Sequence, residues 1–479
     1  MSEQGLTTDR DASGIADADF RQLGERVLAA MARLKIPGVA VGLLREGVEQ
    51  TAGFGITNVE APVPVDPHTL FQIGSITKTI TGTVAMRLVE QGKLDLDVPV
   101  RTYLPELAMI NEYAAANVTL RHLFSHTAGW LGDYFDDTGS GNDALAAIVG
   151  RMATLPQWTP LGKVFSYSNA SFYLAGRVIE VVTGKTYEAV AQEMLLGPLG
   201  MDEAFFFAHD CISRRVAVGH TTGGATPTVA RPWALARAAN PVGGLSASVR
   251  SMLRYARFQL DDGRAPDGTQ LLKRSSLDGM QTPVASAGSG AGAVGITWMI
   301  KPLGGVGTVR HSGGTNGQIS IFILVPDRRF ALAILTNADR GGELCQEVAA
   351  WALDHYCGIA EAPFAACEMT AESLSPYAGM YRSALNDSEI TIEDGHLVLQ
   401  SIPKGGFPQR DTPPGPTPPP TRLDLGPDDT IIALDTPFKG TRGEFLRGDD
   451  GAVEWVRIGS RIAKRESGVG SRESGVQGL

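Results

Sequence analysis

The chain has 479 residues, 43% of them hydrophobic and 20% charged, with a formal net charge of −10. That length exceeds one average domain and predicts a large domain with a smaller companion, and the composition is that of a globular protein able to bury its own core. The acidic balance, without any basic run, argues against a nucleic-acid partner, and no apolar run reaches the roughly 20 residues that a membrane span needs.

In chain order, residues 1–18 form a polar, acidic tail. They lack a basic start followed by an apolar stretch, so no secretory leader is expected in them. Phe20, Leu23, Val27, Met31 and Leu34 then recur at helical spacing. Pro37-Gly38 breaks that helix, residues 39–44 read as a buried strand, and a second strand follows at 51–55. Residues 76–91 are helical again, with Ile80, Val84 and Leu88 on one face and Gly92 as the stop. The stretch 95–237 is mostly helical and loop-like, with a clear helix over 170–182 closed by Thr183-Gly184. Strands resume at 296–300, 309–312, 319–325 and 330–335, and a helix carrying Leu344, Val348, Trp351 and Ala352 follows. The pattern predicts an α+β fold: an antiparallel sheet built from both chain ends, flanked by helices, with an inserted helical region. The cleft between sheet and insertion is the natural place for a site.

After Cys367 short strands with D-G-type turns appear, at 389–393 and 396–400, then at 444–447 and 453–458. They predict a small all-β domain, an up-and-down barrel or curled sheet. Pro413-Pro414-Gly415-Pro416-Thr417-Pro418-Pro419-Pro420 is a stiff, extended loop within it. The tail repeats Arg-Glu-Ser-Gly-Val at 465–469 and 472–476 and is expected to be disordered. The expected division is 1–18 (tail), 19–365 (large domain), 366–460 (small β domain) and 461–479 (disordered tail). Cys211, Cys345, Cys357 and Cys367 form no C-x-x-C pair, and are read as reduced thiols of a cytoplasmic protein.

Three motifs carry chemistry. Gly74-Ser75-Ile76-Thr77-Lys78 is S-x-x-K at a helix start. A serine hydroxyl needs a base to become a nucleophile, residues three apart share a helix face, and burial of a lysine disfavours its charged form. The N–H of Ser75 at the helix start can face an oxyanion. Taken alone, the motif also fits a plain helix start with a surface lysine. Tyr167-Ser168-Asn169 is Y-x-N before a helix, where a phenol near a lysine can relay a proton and an amide can hold lysine and substrate. Alone, Tyr167 also fits a half-buried aromatic. His311-Ser312-Gly313-Gly314 ends a strand whose glycines admit close approach of substrate, with the Gly314 N–H as a second oxyanion donor. His122 and His126 stand four apart but lack an intervening H-E-x-x-H glutamate, so no metal site is expected. No G-x-S-x-G surrounds a plausible nucleophile and no P-loop occurs.

In this order and spacing the motifs resemble the serine β-lactamase and penicillin-binding-protein superfamily, in particular its class C-like branch with family VIII carboxylesterases and D-aminopeptidases. The resemblance runs from about Phe20 to Ala360, with support from 120–129, 165–169, 197–201 and 243–246. It implies a β-lactamase/transpeptidase-like domain, and a lipocalin-like character for the small β domain. It implies Ser75 as the acylated nucleophile, Lys78 and Tyr167 as the shared general base, and Asn169 as a holder of Lys78 and substrate. His311, Ser312 and Gly313 would line the substrate, and the N–H groups of Ser75 and Gly314 would form the oxyanion hole. No cofactor is implied. Penicillin-active relatives usually carry K-T-G where this chain has His311-Ser312-Gly313. A histidine is mostly neutral near pH 7, which lowers the expectation of β-lactam hydrolysis. The expected activity is hydrolysis of carboxylic esters or lactones. A D-stereospecific aminopeptidase or amidase is the alternative, and a weak β-lactamase or acyltransferase follows. The partner is a small-molecule ester, lactone or amide, with no nucleic acid or membrane, and homo-oligomerisation is left open.

Overall fold

The structure is a computed structural model that describes residues 7–8, 18–233, 235–367 and 369–466. It falls into two units. One comprises the chain up to Ala287 with Ala291–Pro363 and Pro408–Arg410, and the other comprises Gly288–Gly290, Phe364–Phe407 and the chain from Asp411.

The first unit begins with helix α1 (Ala18–Leu34) and the hairpin β1 (Gly38–Arg45) and β2 (Val48–Gly55). Helices α2 (Thr77–Glu90), α3 (Ala170–Thr183) and α4 (Val249–Leu260) follow. Strands β3 (Met299–Leu303), β4 (Val306–Thr315), β5 (Gln318–Val325) and β6 (Phe330–Thr336) lead to α5 (Gly341–Cys357). The sheet order is Thr7–Thr8, β2, β1, β6, β5, β4, β3, Gly292–Val294, Ala285–Ala287, and the pairings are antiparallel.

The strands β1 and β6 are apolar on both sides because the sheet is covered on both faces. Successive residues point to opposite faces, so Val39, Val41 and Leu43 join one core with Leu332 and Ile334, packed by Leu23 and Val27 of α1 and Leu344 and Val348 of α5. Ala40 and Leu44 join the other with Ala333 and Leu335, packed by Ile80 and Val84 of α2 and Leu253 of α4. A fully buried Leu or Ile side chain contributes roughly 2 kcal/mol, so this alternation divides the stabilising burial between two layers. Gly42 is small because Leu253 sits against it, 3.1 Å from where a Cβ would stand.

Three local readings shift. The strand expected at 296–300 starts later, at Met299, because Ile296 and Thr297 turn to reach Met280 and Phe124 carbonyls and Thr297 adopts a φ of +69°. The helix expected from 76 begins with a 3₁₀ turn at Gly74–Ile76. A small sheet also forms, Phe71–Gln72 with Ser246–Ala247 and Ala204–Phe205, the last of these within the middle segment.

The second unit is a closed barrel of eight antiparallel strands: β7 (Gly379–Arg382), β8 (Asn386–Glu393), β9 (His396–Pro403), β10 (Thr421–Leu425), β11 (Thr430–Ala433), β12 (Arg442–Arg447), β13 (Val453–Ile458) and β14 (Arg461–Arg465). The order is sequential, so it is up-and-down, and Tyr381 pairing with Arg465 closes it and leaves no free edge. Leu397, Leu423, Ile431, Phe445 and Val456 fill it. The proline run lies in the loop between β9 and β10. The tail expected from 461 is corrected at its start: Arg461–Arg465 is the closing strand, because Ile462 and Ala463 bury between flanking basic residues. Residues 467–479, like most of the expected N-terminal tail, lie outside the described residues.

Candidate active site

The site is assembled where two backbone segments interlock. Gly74 has a φ of +53°, and a Cβ there would stand 2.5 Å from the Gly314 nitrogen. A Cβ on Gly313 would overlap the Ile73 carbonyl oxygen. Glycine at both positions therefore lets the turn carrying Ser75 press against strand β4. Ser320 of β5 fastens the contact by donating to the Ile73 carbonyl at 2.8 Å, and Thr77 donates to the Gly74 carbonyl at 2.7 Å.

Lys78, in the first turn of α2, is 0% exposed. Its Nζ donates to Ser75 Oγ at 3.0 Å and to the Val242 carbonyl at 2.7 Å. It lies 5.0 Å from the centre of the Tyr167 ring and 5.3 Å from that of Phe172. The buried amine thus has polar acceptors on one side and aromatic faces on the other.

Tyr167 is buried, stacked on His126 with ring centres 4.3 Å apart, and its ring centre is 6.0 Å from that of His311. His126 Nδ1 accepts from the Ser168 N–H at 2.9 Å. An acceptor nitrogen carries no proton, so the ring proton sits on Nε2. Asn169 donates to Asp133 Oδ1 at 2.8 Å.

His311 is 3% exposed, and its Nδ1 lies 2.6 Å from the Ser312 carbonyl. A carbonyl only accepts, so Nδ1 carries the proton. Burial pushes the imidazole pKa down to about 3, and a proton on the nearby Lys78 amine adds to the effect whenever it is present. His311 is therefore neutral at physiological pH. Ser312 is exposed on the opposite face of β4, as strand alternation requires.

The structure gathers Ser75, Lys78, Tyr167, His311, Gly313 and Gly314 around one point. Asn169 follows Tyr167 at the foot of α3, where Asp133 orients it. Sequence reasoning missed His126, Asp133 and Val242. Only His126 left a signal, and its spacing from His122 pointed at metals instead. His122 is a helix cap, its Nδ1 2.9 Å from Thr119 Oγ1. Among the described residues no cluster of three or more His, Cys, Asp or Glu is placed to hold a metal.

A family model described as Beta-lactamase matches residues 21–355. Penicillin-binding protein 4 of Amycolatopsis lactamdurans is 34% identical over 325 residues, 67% of this chain and 85% of the relative. The crystal structure of SurE with D-Leu superposes with a TM-score of 0.72 at 25% identity, covering 94% of this chain and all of the other (100%). The octameric penicillin-binding protein homologue from Pyrococcus abyssi shares the fold, with a TM-score of 0.59 at 24% identity over 93% of this chain and 100% of that one. With the matched segment spanning both chain ends of the sheet and the interlocked turn that holds Ser75, the chain belongs to the Beta-lactamase family, within the serine β-lactamase and penicillin-binding-protein superfamily, whose members are serine hydrolases.

Proposed function

We propose that this protein hydrolyses carboxylic esters or lactones with uncharged acyl groups through an acyl-enzyme on Ser75. The observation that carries the reading is the buried Lys78 Nζ at 3.0 Å from Ser75 Oγ. In this mechanism Lys78, with Tyr167 beside it, takes the Ser75 proton as Oγ bonds to the substrate carbonyl carbon. The N–H groups of Ser75 and Gly314 hold the resulting oxyanion. The carbon–oxygen bond to the leaving group breaks and the leaving oxygen takes the proton; an ester's alcohol departs, and a lactone's hydroxyl stays on the opened acyl chain. Water then adds to the acyl carbon, gives its proton to the same base, and releases the acid with Ser75 restored.

His311 supports an uncharged substrate. Where penicillin-active relatives place a lysine, this chain buries an imidazole held neutral, so no fixed cation there awaits a carboxylate. Hydrolysis of D-aminoacyl amides is the second reading, favoured by the D-Leu held by SurE, whose structure covers both units of this chain. A panel of p-nitrophenyl esters and D-amino-acid p-nitroanilides separates them. Faster turnover of the esters is expected, and faster turnover of the anilides overturns the first reading in favour of the second.

We also propose a cytoplasmic placement, supported by Cys211, Cys345, Cys357 and Cys367 being free thiols. Fractionation of the native host tests it, with recovery outside the cytoplasmic fraction as the contrary result.

A further inference from the structure

A cavity of about 450 Å³ in the first unit has aromatic and apolar walls from Phe206, Phe207, Trp233 and Leu235. Part of its remaining lining comes from segments next to the site. Gln72 precedes Ser75 by three residues, and Asn240 and Gly244 bracket Val242, whose carbonyl accepts from Lys78. The Gln72 amide donates to the Trp233 carbonyl at 2.6 Å, tying the aromatic wall to the strand that leads into the nucleophile.

The walls are held in place before any ligand arrives. Phe206 meets the Tyr187 ring edge-on at 5.4 Å, and the Tyr187 hydroxyl lies 2.8 Å from Thr81 Oγ1, three residues beyond Lys78 in α2. Phe207 is covered on its faces by the Arg237 guanidinium at 5.2 Å and by the His209 ring at 5.2 Å. Arg237 lines the cavity, but its charge is met inside the protein. Its Nε donates to Glu188 at 3.2 Å and its Nη1 to the Ser140 carbonyl at 2.7 Å, while Asn240 donates to the same Glu188 at 2.7 Å. A guanidinium already paired with a carboxylate is poorly placed to attract a second one. Gln72, Ser140, His209, Asn240 and Ser246 also line the cavity, so it sets one aromatic and aliphatic wall against a polar one whose only guanidinium is already paired. The aromatic and aliphatic wall suits a neutral apolar group, and the volume is in the range of small-molecule sites.

We infer that this cavity is the subsite for a neutral apolar side chain on the acyl group, branched aliphatic or phenyl, and that it sets the acyl preference of the enzyme. The inference deepens the proposed function and rests on Ser75 being the nucleophile. The probe is a series of p-nitrophenyl phosphonates bearing methyl, isobutyl or benzyl groups on phosphorus. Ser75 Oγ bonds to phosphorus, the P–O bond to p-nitrophenolate breaks, and the serine proton passes to the Lys78–Tyr167 base. Isobutyl and benzyl probes are expected to label about tenfold faster than the methyl probe, as a pocket that gains a few buried carbons would give. Leu235→Trp, which fills the cavity, is expected to erase that preference, and Phe207→Ala to reduce it. If Leu235→Trp lacks the wild-type circular dichroism spectrum, Phe207→Ala decides. Labelling indifferent to the group on phosphorus, or a preference unchanged in the folded variants, overturns the inference. Ester turnover measured alongside separates the two readings: selective labelling without ester turnover keeps the subsite and removes the ester reading, and ester turnover without selectivity does the reverse. No labelling of Ser75 removes both.

Discussion

Two walls of the site are built by different means. The wall of Gly74, Ser75, Gly313 and Gly314 is backbone against backbone, with glycine at the points where a Cβ would strike the neighbouring chain. The wall of Tyr167 and Asn169 is made of side chains, each leaning on another side chain: Tyr167 on His126, and Asn169 on Asp133. Backbone contact leaves no soft atom to yield, whereas a side-chain prop can be replaced by water or a neighbour. The first wall should therefore fail abruptly on substitution and the second by degrees.

The largest effect is expected at Gly313→Ala, which forces the Ile73 carbonyl away and displaces the turn carrying Ser75. Acylation of Ser75 should fall below detection, with a thermal-melt loss in the few kcal/mol range typical of forced backbone movement. Activity near the parent level would show that the interlock is loose. Next, Lys78→Ala and Tyr167→Phe should each lower kcat by about 10²-fold or more, as loss of a general base does. A variant that keeps near-full turnover removes that residue from the base role. His126→Leu leaves an apolar prop beneath Tyr167 and should cost about tenfold in kcat with little change in KM. A loss equal to that of Tyr167→Phe would place His126 in the proton path instead.

The smallest effect is a pH dependence of stability set by His311. Its folded pKa, about 3, lies below the ordinary 6.5. The unfolded chain therefore binds the proton more readily than the folded one between those values, and stability is lost as pH falls below about 6.5. The slope from this group is at most about 1.4 kcal/mol per pH unit. His311→Asn should flatten the melting-temperature profile between pH 7 and pH 5, and an unchanged slope would mean that other groups carry it.

Much of this was legible in the sequence, for reasons that differ between elements. Residues 39–44 and 330–335 read as strands because short, unbroken apolar runs bounded by turn residues suit a sheet covered on both faces. Ser75 and Lys78 were readable because their partnership is local, one helical turn apart. His126, Asp133 and Val242 act across long separations in the chain, and no spacing rule finds a carbonyl that accepts from a lysine 164 residues away. The closing barrel strand hid because only Ile462 and Ala463 mark it among arginines and lysine. The His311 environment shows the same limit. Its residue type was readable, but the burial that holds it neutral arises only from the packing.

The most direct test is to trap the acyl-enzyme. The protein is mixed with a slowly deacylating p-nitrophenyl ester, quenched in acid during turnover, and digested for mass spectrometry. The account predicts the mass of the acyl group on Ser75, in the peptide that also carries Lys78, and no adduct in Ser75→Ala. An adduct on another residue, or p-nitrophenol release by Ser75→Ala at the parent rate, would contradict it.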